Sequence, residues 1–266
     1  MIEIFSKDNK LVKHVTKLCD DRKYRYKTRQ FIIEGLRLVR EAYICNAQME
    51  YAFVTRDFYE KNTDFVENIS ACMKECYLIN EAVAKKISDT QNPQGIFCIC
   101  HMEDNNLYTS DINSDGKYVI LNSLQDPGNV GTIIRSADAF CVSAVIVSDD
   151  CVDIYSPKVI RSTMGSCFRV KSIICKNENM CDAIRALKNK NIKVYATNLD
   201  KDSKDIREVS LGKGSCIVTG NEGNGLPKEI IDVCDGSIII PMNKNTESLN
   251  ASVATAICIW EMFRKD

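Results

Sequence analysis

The sequence predicts an α/β protein in two parts: a small mixed unit first, then a larger unit built on a parallel sheet. Three observations predict it. In the second half, short apolar runs rich in Val and Ile alternate with amphipathic helical stretches. Strands separated by helices imply right-handed crossovers and a parallel sheet covered on both faces. The first hundred residues carry strand and helix runs of their own, and a polar, acidic, turn-rich segment over 103–116 separates the two sets. The expected division is therefore a domain over 1–102, a linker over 103–116 and a domain over 117–266.

In the first part, Phe31-Ile32-Ile33, Tyr51-Ala52-Phe53-Val54, Tyr77-Leu78-Ile79 and Ile96-Phe97-Cys98-Ile99 are apolar runs of strand length. Helices are expected between them, over 36–43 and 58–73. In the second part, Lys117-Tyr118-Val119-Ile120-Leu121-Asn122 is expected as a strand. A helix over 129–140 follows, with Val130, Ile133, Ile134, Ala137 and Phe140 on one face. Ala144-Val145-Ile146-Val147 is the next strand. Ser156-Pro157 has the chemistry of an N-cap followed by proline at the first helical position, and opens a helix towards residue 164. Further strands are expected over 170–175, 194–197, 216–219 and 237–241, and helices over 180–188 and 226–234. The last helix spans 248–263, with Leu249, Val253, Ala256, Ile257 and Trp260 as its apolar stripe.

The 266 residues, 45% hydrophobic and 27% charged, are enough to bury a core and exclude a disordered chain. The net charge of -1 excludes a protein that coats nucleic acid all over, but it hides an uneven distribution. Residues 1–30 hold nine Lys+Arg against four Asp+Glu. Within them Arg22-Lys23-Tyr24-Arg25-Tyr26-Lys27-Thr28-Arg29 interleaves five cations with two tyrosines. That is either a solvated basic loop or an RNA footprint, since cations neutralise phosphates and tyrosine stacks on unpaired bases.

The first residues lack a basic stretch leading into an apolar one, and no apolar run nears the roughly 18 residues of a membrane span, so a cytoplasmic protein without membrane contact is expected. The 14 cysteines form no CxxC, and several sit in apolar runs, as Cys98 and Cys258 do. Reduced thiols packing as small hydrophobes are expected. His14 and His101 stand apart from any paired cysteines, so no metal site is expected.

Three polar loops follow predicted strands of the second part: Asp126-Pro127-Gly128-Asn129-Val130-Gly131, Gly220-Asn221-Glu222-Gly223-Asn224-Gly225-Leu226 and Met242-Asn243-Lys244-Asn245-Thr246-Glu247-Ser248-Leu249-Asn250. Loops at the carboxyl ends of parallel strands share one edge of the sheet, where ligands bind. The three therefore converge on one expected site. The dinucleotide fingerprint, the P-loop and the hydrolase elbow are all absent. With two histidines in the chain, the site must work through Arg, Glu, Asn, Ser and backbone groups.

These loops also carry a family resemblance. Asp126 to Ala137, read as DPGNVGTIIRSA, resembles the first motif of the SpoU/TrmH family of RNA ribose 2'-O-methyltransferases. Gly220 to Leu226 resembles the second motif. Ile240-Pro241-Met242 with Glu247-Ser248-Leu249-Asn250-Ala251-Ser252-Val253-Ala254 resembles the third. The likeness runs over 117–263 in the family's order. Phe31-Ile32-Ile33-Glu34-Gly35 and Gln94-Gly95-Ile96-Phe97 carry a weaker likeness to the family's small substrate-binding domain, related to ribosomal protein L30e.

The resemblance implies a SPOUT fold with a deep trefoil knot in the second domain. It implies S-adenosylmethionine as cofactor, held around Thr219, Gly220, Asn221, Gly225, Ile240, Met242 and Leu249. It implies Arg135 as the catalytic arginine, with Asn129, Glu222, Ser248 and Asn250 as the other polar site positions. Arg135 serves there either as a general base or as an electrostatic stabiliser, and a guanidinium that stays protonated strains the first role. By residue type alone, Asn129 and Ser248 are equally good helix N-caps, and Arg135 is equally a partner for Asp138 three residues on. Glu222 is expected to orient Arg135, across a homodimer interface of the C-terminal domain if not within one chain. Arg22, Lys23, Arg25, Lys27, Arg29 and Arg161 are the expected RNA contacts, with a solvated helix face as the other reading of Arg161. The expected substrate is ribosomal RNA, with transfer RNA or a catalytically silent RNA-binding protein as the alternatives.

Overall fold

A computed structural model describes residues 1–266 except 201, 244, 247, 265 and 266. Lys244 and Glu247 of the third polar loop thus lie outside the described residues. The chain forms two compact units, Met1–Glu103 with Asp153–Phe168, and Asp104–Val152 with Arg169–Asp266.

The first unit holds strands β1 (Ile2–Ile4), β2 (Gln30–Glu34), β3 (Met49–Thr55), β4 (Glu75–Ile79) and β5 (Ile96–His101). They form one sheet in the order β1-β4-β3-β5-β2, with β5 antiparallel to both neighbours. Its helices are α1 (Lys10–Asp20), α2 (Arg22–Thr28), α3 (Leu36–Ile44), α4 (Arg56–Lys61), α5 (Thr63–Ser70) and α6 (Glu81–Ile87). Helix α1 starts where the Asn9 side chain accepts from Leu11 N at 2.8 Å, and buries Val12, Val15 and Leu18 against the sheet. The single helix expected over 58–73 is two. Asn62 leaves the helical region and its side chain bonds back to the Phe58 carbonyl at 3.0 Å, a local competitor to the helical ladder. The basic run at 22–29 is not a loop but α2, capped by Asp21 and ended by Arg29 in the left-handed region at φ 57°.

The segment Asp153–Phe168 lies in the second half of the sequence yet packs with the first unit, and a buried ion pair explains why. Arg25 and Asp153, 4% and 6% exposed, meet at 2.6 and 2.7 Å. The remaining donors of Arg25 go to the carbonyls of Leu18 and Cys19, and the second oxygen of Asp153 accepts from Tyr26 and Tyr155 N. Phe31 packs on Tyr155 with ring centroids 4.9 Å apart. Helix α8 (Pro157–Thr163) belongs to this segment, opened by Ser156 as its cap.

The second unit alternates strand and helix: β6 (Lys117–Leu121), α7 (Pro127–Ala139), β7 (Ala144–Ser148), β8 (Lys171–Cys175), α9 (Met180–Lys188), β9 (Lys193–Thr197), β10 (Lys204–Asp205), β11 (Ser215–Thr219), α10 (Lys228–Val233), β12 (Gly236–Ile239) and α11 (Ala251–Arg264). Every strand pair is parallel, in the order β10-β12-β9-β11-β6-β7-β8. The central strands β6, β7 and β11 are buried along their whole length, as expected of parallel strands covered on both faces.

Two helix boundaries differ from expectation. Helix α7 opens at Pro127 because Asp126 is its cap, accepting from Asn129 N at 2.7 Å, so Asn129 lies inside the helix. Helix α11 is capped by Asn250, which accepts from Ser252 N at 2.9 Å, so Ser248 is not the cap. The apolar stripe expected of α11 also faces the wrong way: Val253, Ile257 and Trp260 are 47%, 37% and 46% exposed, while Thr255, Cys258, Ile259 and Met262 are buried. Both faces of this helix are apolar, so periodicity alone cannot choose the inner one.

Candidate active site

The site is built where β11 ends. Asn221 and Gly225 exchange both backbone hydrogen bonds at 3.0 Å, closing the second motif into a tight loop. Gly225 takes φ +65° there, and a Cβ on Gly220 would fall onto the Gly225 carbonyl and within 2.7 Å of Leu226 N. The Asn221 side chain accepts from Gly223 N and Asn224 N and donates to the Ser123 carbonyl at 2.8 Å.

Ser123 is a hub that sequence reading missed. Its φ of +59° is unusual for a residue with a Cβ. Its carbonyl also accepts from Gln125 Nε2 at 3.0 Å, its N–H donates to Ser148 Oγ at 2.9 Å, and its hydroxyl donates to Asp150 at 2.6 Å. The ends of β6, β7 and β11 are thereby tied together. No sequence signal marks a serine for a positive φ.

Glu222 accepts from Asn129 Nδ2 at 3.0 Å and from Gln125 N at 3.4 Å. Burial pushes its carboxyl upward, but the Asn129 amide and the backbone N–H groups of Glu222, Gln125 and Asp126 outweigh that and hold it below the usual carboxylate range. The carboxylate sits at the N-terminal end of α7, where a negative charge is favoured.

The second and third loops line an open cavity of about 660 Å³ at the carboxyl edge of the sheet, while the first loop is not among its lining residues and meets it through the Asn129–Glu222 hydrogen bond. Thr219, Gly220, Asn221, Gly225, Ile240, Met242 and Leu249 line it, as do Glu222, Ser248 and Asn250. Thr197, Asn198 and Leu199 line it too, from the end of β9. Sequence reading passed over them, although the strand-end rule applies to β9 as it does to β11.

Arg135 lies apart. It is exposed on α7 and is not among the cavity's lining residues. It is six residues from Asn129, about 9 Å along a helix and about 240° around it. Within the chain Glu222 therefore engages Asn129, not Arg135. Asp138 is not the partner of Arg135 either; it pairs with Arg169 at 2.8 Å.

The expected RNA contacts divide. Arg25 is buried in its ion pair, which removes it from any surface. Arg29 donates to the carbonyls of Met102 and Glu103, Arg22 lies 5.5 Å from the Tyr26 ring, and Arg161 pairs with Asp89 at 2.8 Å. Lys23 and Lys27 are exposed on α2.

Comparison with known proteins decides the family. Residues 116–260 match the model of the SpoU rRNA Methylase family, and residues 9–98 match the MRM3-like substrate binding domain. The chain belongs to the SpoU family. Among its relatives is the 23S rRNA (guanosine(2553)-2'-O)-methyltransferase RlmP of Bacillus subtilis, 30% identical over 262 residues, covering 98% of this chain and 99% of that protein. An AdoMet-bound rRNA methyltransferase from Sinorhizobium meliloti superposes with a TM-score of 0.86 at 30% identity, over 98% of this chain and 97% of that one. The SpoU methyltransferase AviRb from Streptomyces viridochromogenes, in complex with AdoMet, shares the fold with a TM-score of 0.86 at 22% identity, over 97% and 98% of the two chains. As a SpoU methyltransferase the chain is an enzyme that uses S-adenosylmethionine and has the SPOUT α/β fold.

Proposed function

We propose that this SpoU protein transfers a methyl group from S-adenosylmethionine to a ribose 2'-hydroxyl of ribosomal RNA. The observation that carries the reading is the convergence of the second and third motifs on one cavity of about 660 Å³. Small-molecule sites occupy about 300–1,000 Å³. The lining suits the cofactor: Ile238, Ile240, Met242 and Leu249 offer an apolar wall for adenine, and Gly220 and Gly225 let backbone groups reach its polar edges. The cofactor, when bound, supplies a methyl group already activated on a sulfonium.

What this chain supplies is orientation and charge. Ser123 and Asn221 fix the loop edge, while Glu222 and Asn129 set its polar side. Arg135 holds an RNA phosphate and stabilises the charge that develops on the 2'-oxygen; being always protonated, it leaves the proton to another acceptor. Ser248 and Asn250 close the cavity from the third motif.

A homodimer accounts for the distance of Arg135 from its own cavity. Val253, Ile257, Trp260 and Phe263 are exposed on α11, and Phe140 lies 5.3 and 5.5 Å from the Trp260 and Phe263 rings. That contiguous apolar patch supports a contact between two copies, with Arg135 of one serving the cavity of the other. Mixing Arg135→Ala protein with Gly220→Ala protein is then expected to restore about a quarter of wild-type turnover through mixed dimers. The return of α11 onto β11 and α7, after the chain has run out to β12 near the sheet's edge, supports the trefoil knot. Among the described residues no helix is long and apolar enough to cross a membrane, and a cytoplasmic location suits an RNA substrate.

Calorimetry with S-adenosylmethionine and mapping of 2'-O-methylated nucleotides after deletion in the native host test the reading. Loss of one methyl group in 23S rRNA is expected. Loss in transfer RNA would overturn the substrate. Absence of cofactor binding would return the chain to a silent RNA-binding protein.

A further inference from the structure

The chain's two histidines both lie in the first unit, around one carboxylate that methyl transfer does not use. Strand β3 carries a bulge between Met49 and Tyr51, whose partners on β5 are the adjacent residues Cys100 and Ile99. Glu50 is the extra residue, and a bulge of this kind re-aims a side chain. Glu50 is 8% exposed and accepts from Gln30 Nε2, from Lys74 Nζ at 2.5 Å and from His101 Nε2 at 2.7 Å.

Two aromatic flanks extend from this centre. On one side Lys74 Nζ lies 5.8 Å from the Tyr51 ring, which packs against Tyr77 at 6.0 Å. On the other, His14 lies beside Gln30 and shares a 2.8 Å hydrogen bond with the Tyr24 hydroxyl, and Lys17 Nζ lies 5.3 Å from the Tyr24 ring. Burial holds the His14 pKa below its ordinary value. The three tyrosines are half-buried, whereas Lys17 and Lys74 are exposed. The surface is thus two tyrosine flanks, each topped by an ammonium, on either side of a buried carboxylate.

We propose that this patch grips an unpaired strand of the RNA substrate: bases stack on Tyr24 and Tyr51, Lys17 leaves its ring for a phosphate, and the exposed Lys74, still paired with Glu50, turns its other donors to a second phosphate. Stacking of a base on an aromatic ring is stronger than an exposed cation–π contact, and it tolerates any base. The Lys17 ammonium keeps its charge for the backbone, and Lys74 shares its charge between Glu50 and the phosphate. The inference rests on RNA being the substrate and adds where, and in which form, it is held.

The test uses the full chain, a short fluorescent single-stranded RNA of mixed sequence and a blunt RNA duplex. Tyr24→Leu with Tyr51→Leu is expected to weaken single-strand binding about tenfold or more and to leave duplex binding in place. Tyr24→Phe with Tyr51→Phe keeps the rings and is expected to keep the affinity, which separates stacking from a folding defect. Lys17→Gln with Lys74→Gln, both at exposed positions, is expected to lower the salt slope of single-strand binding by about 1.4. Unchanged single-strand affinity in the leucine and glutamine variants overturns the proposal. So does equal loss for single strand and duplex, or equal competition by polyglutamate, which would make the patch a site for acidic protein. Calorimetry with S-adenosylmethionine on the same preparations separates the two readings. Wild type without cofactor binding defeats the proposed function, whereas cofactor binding with an indifferent patch defeats this proposal alone.

Discussion

The two units treat the cations expected to meet RNA differently. The first spends two of its expected RNA-binding cations on itself: Arg25 on Asp153 and Arg161 on Asp89. The second leaves Arg135 exposed, and gives Glu222 amide donors but no cation among the described residues. A count of charges in sequence therefore misleads about where binding occurs. A cation is lost to RNA when the fold buries it in a pair, as it does Arg25.

The strongest way to break that contrast is the buried pair. Arg25→Ala strands the Asp153 carboxylate and is expected to cost about 3–5 kcal/mol, read by denaturant unfolding. Arg25→Met with Asp153→Leu should recover most of the loss, because an apolar pair of similar volume replaces it. A single variant as stable as wild type would mean that the segment Asp153–Phe168 is held by other contacts.

Next in size is Arg135→Ala, expected to lower turnover about 10²–10³-fold with cofactor affinity nearly intact. Single-turnover rates beside calorimetry would check it, and unchanged turnover would remove Arg135 from the reaction. Smaller again is the pair of glycine variants in the second motif. Gly220→Ala places its Cβ on the Gly225 carbonyl and is expected to cost about 1–3 kcal/mol and to weaken cofactor binding. Gly223→Ala meets only Asn221 Oδ1, at 3.5 Å, and should leave both nearly unchanged.

The smallest expected effect is on acid stability. The Glu50 carboxyl is pushed up by burial but drawn down further by Lys74 and His101, so its folded pKa is below the ordinary 4.5. Its stabilisation is complete above that ordinary value and is lost as pH falls through the lower, folded one. Glu50→Gln should therefore narrow the difference in Tm between neutral and acid pH. An equal acid shift in both proteins would count against it.

Much of this was legible in the sequence. The alternation of strands and helices, the Ser156 cap, and the three polar loops at strand ends all follow from local chemistry that the fold respects. The apolar runs at β6, β7 and β11 announce buried parallel strands because nothing in them tolerates water. What local chemistry leaves open is direction and partnership. The helix α11 has two apolar faces, and only packing on β11 and α7 turned Cys258 and Met262 inward and Trp260 outward. Asn129 has the composition of a cap, yet Pro127 moved the helix start and freed its side chain for Glu222. Arg25 looks like an RNA contact until Asp153, 128 residues away, neutralises it. Sequence by itself determined most of the elements, the polar loops at the strand ends and the family, because those depend on residues close together in the chain. Tertiary structure alone decided which charges remain free, which face of the last helix is exposed and where Glu50 points, because each depends on a partner the chain brings from far away.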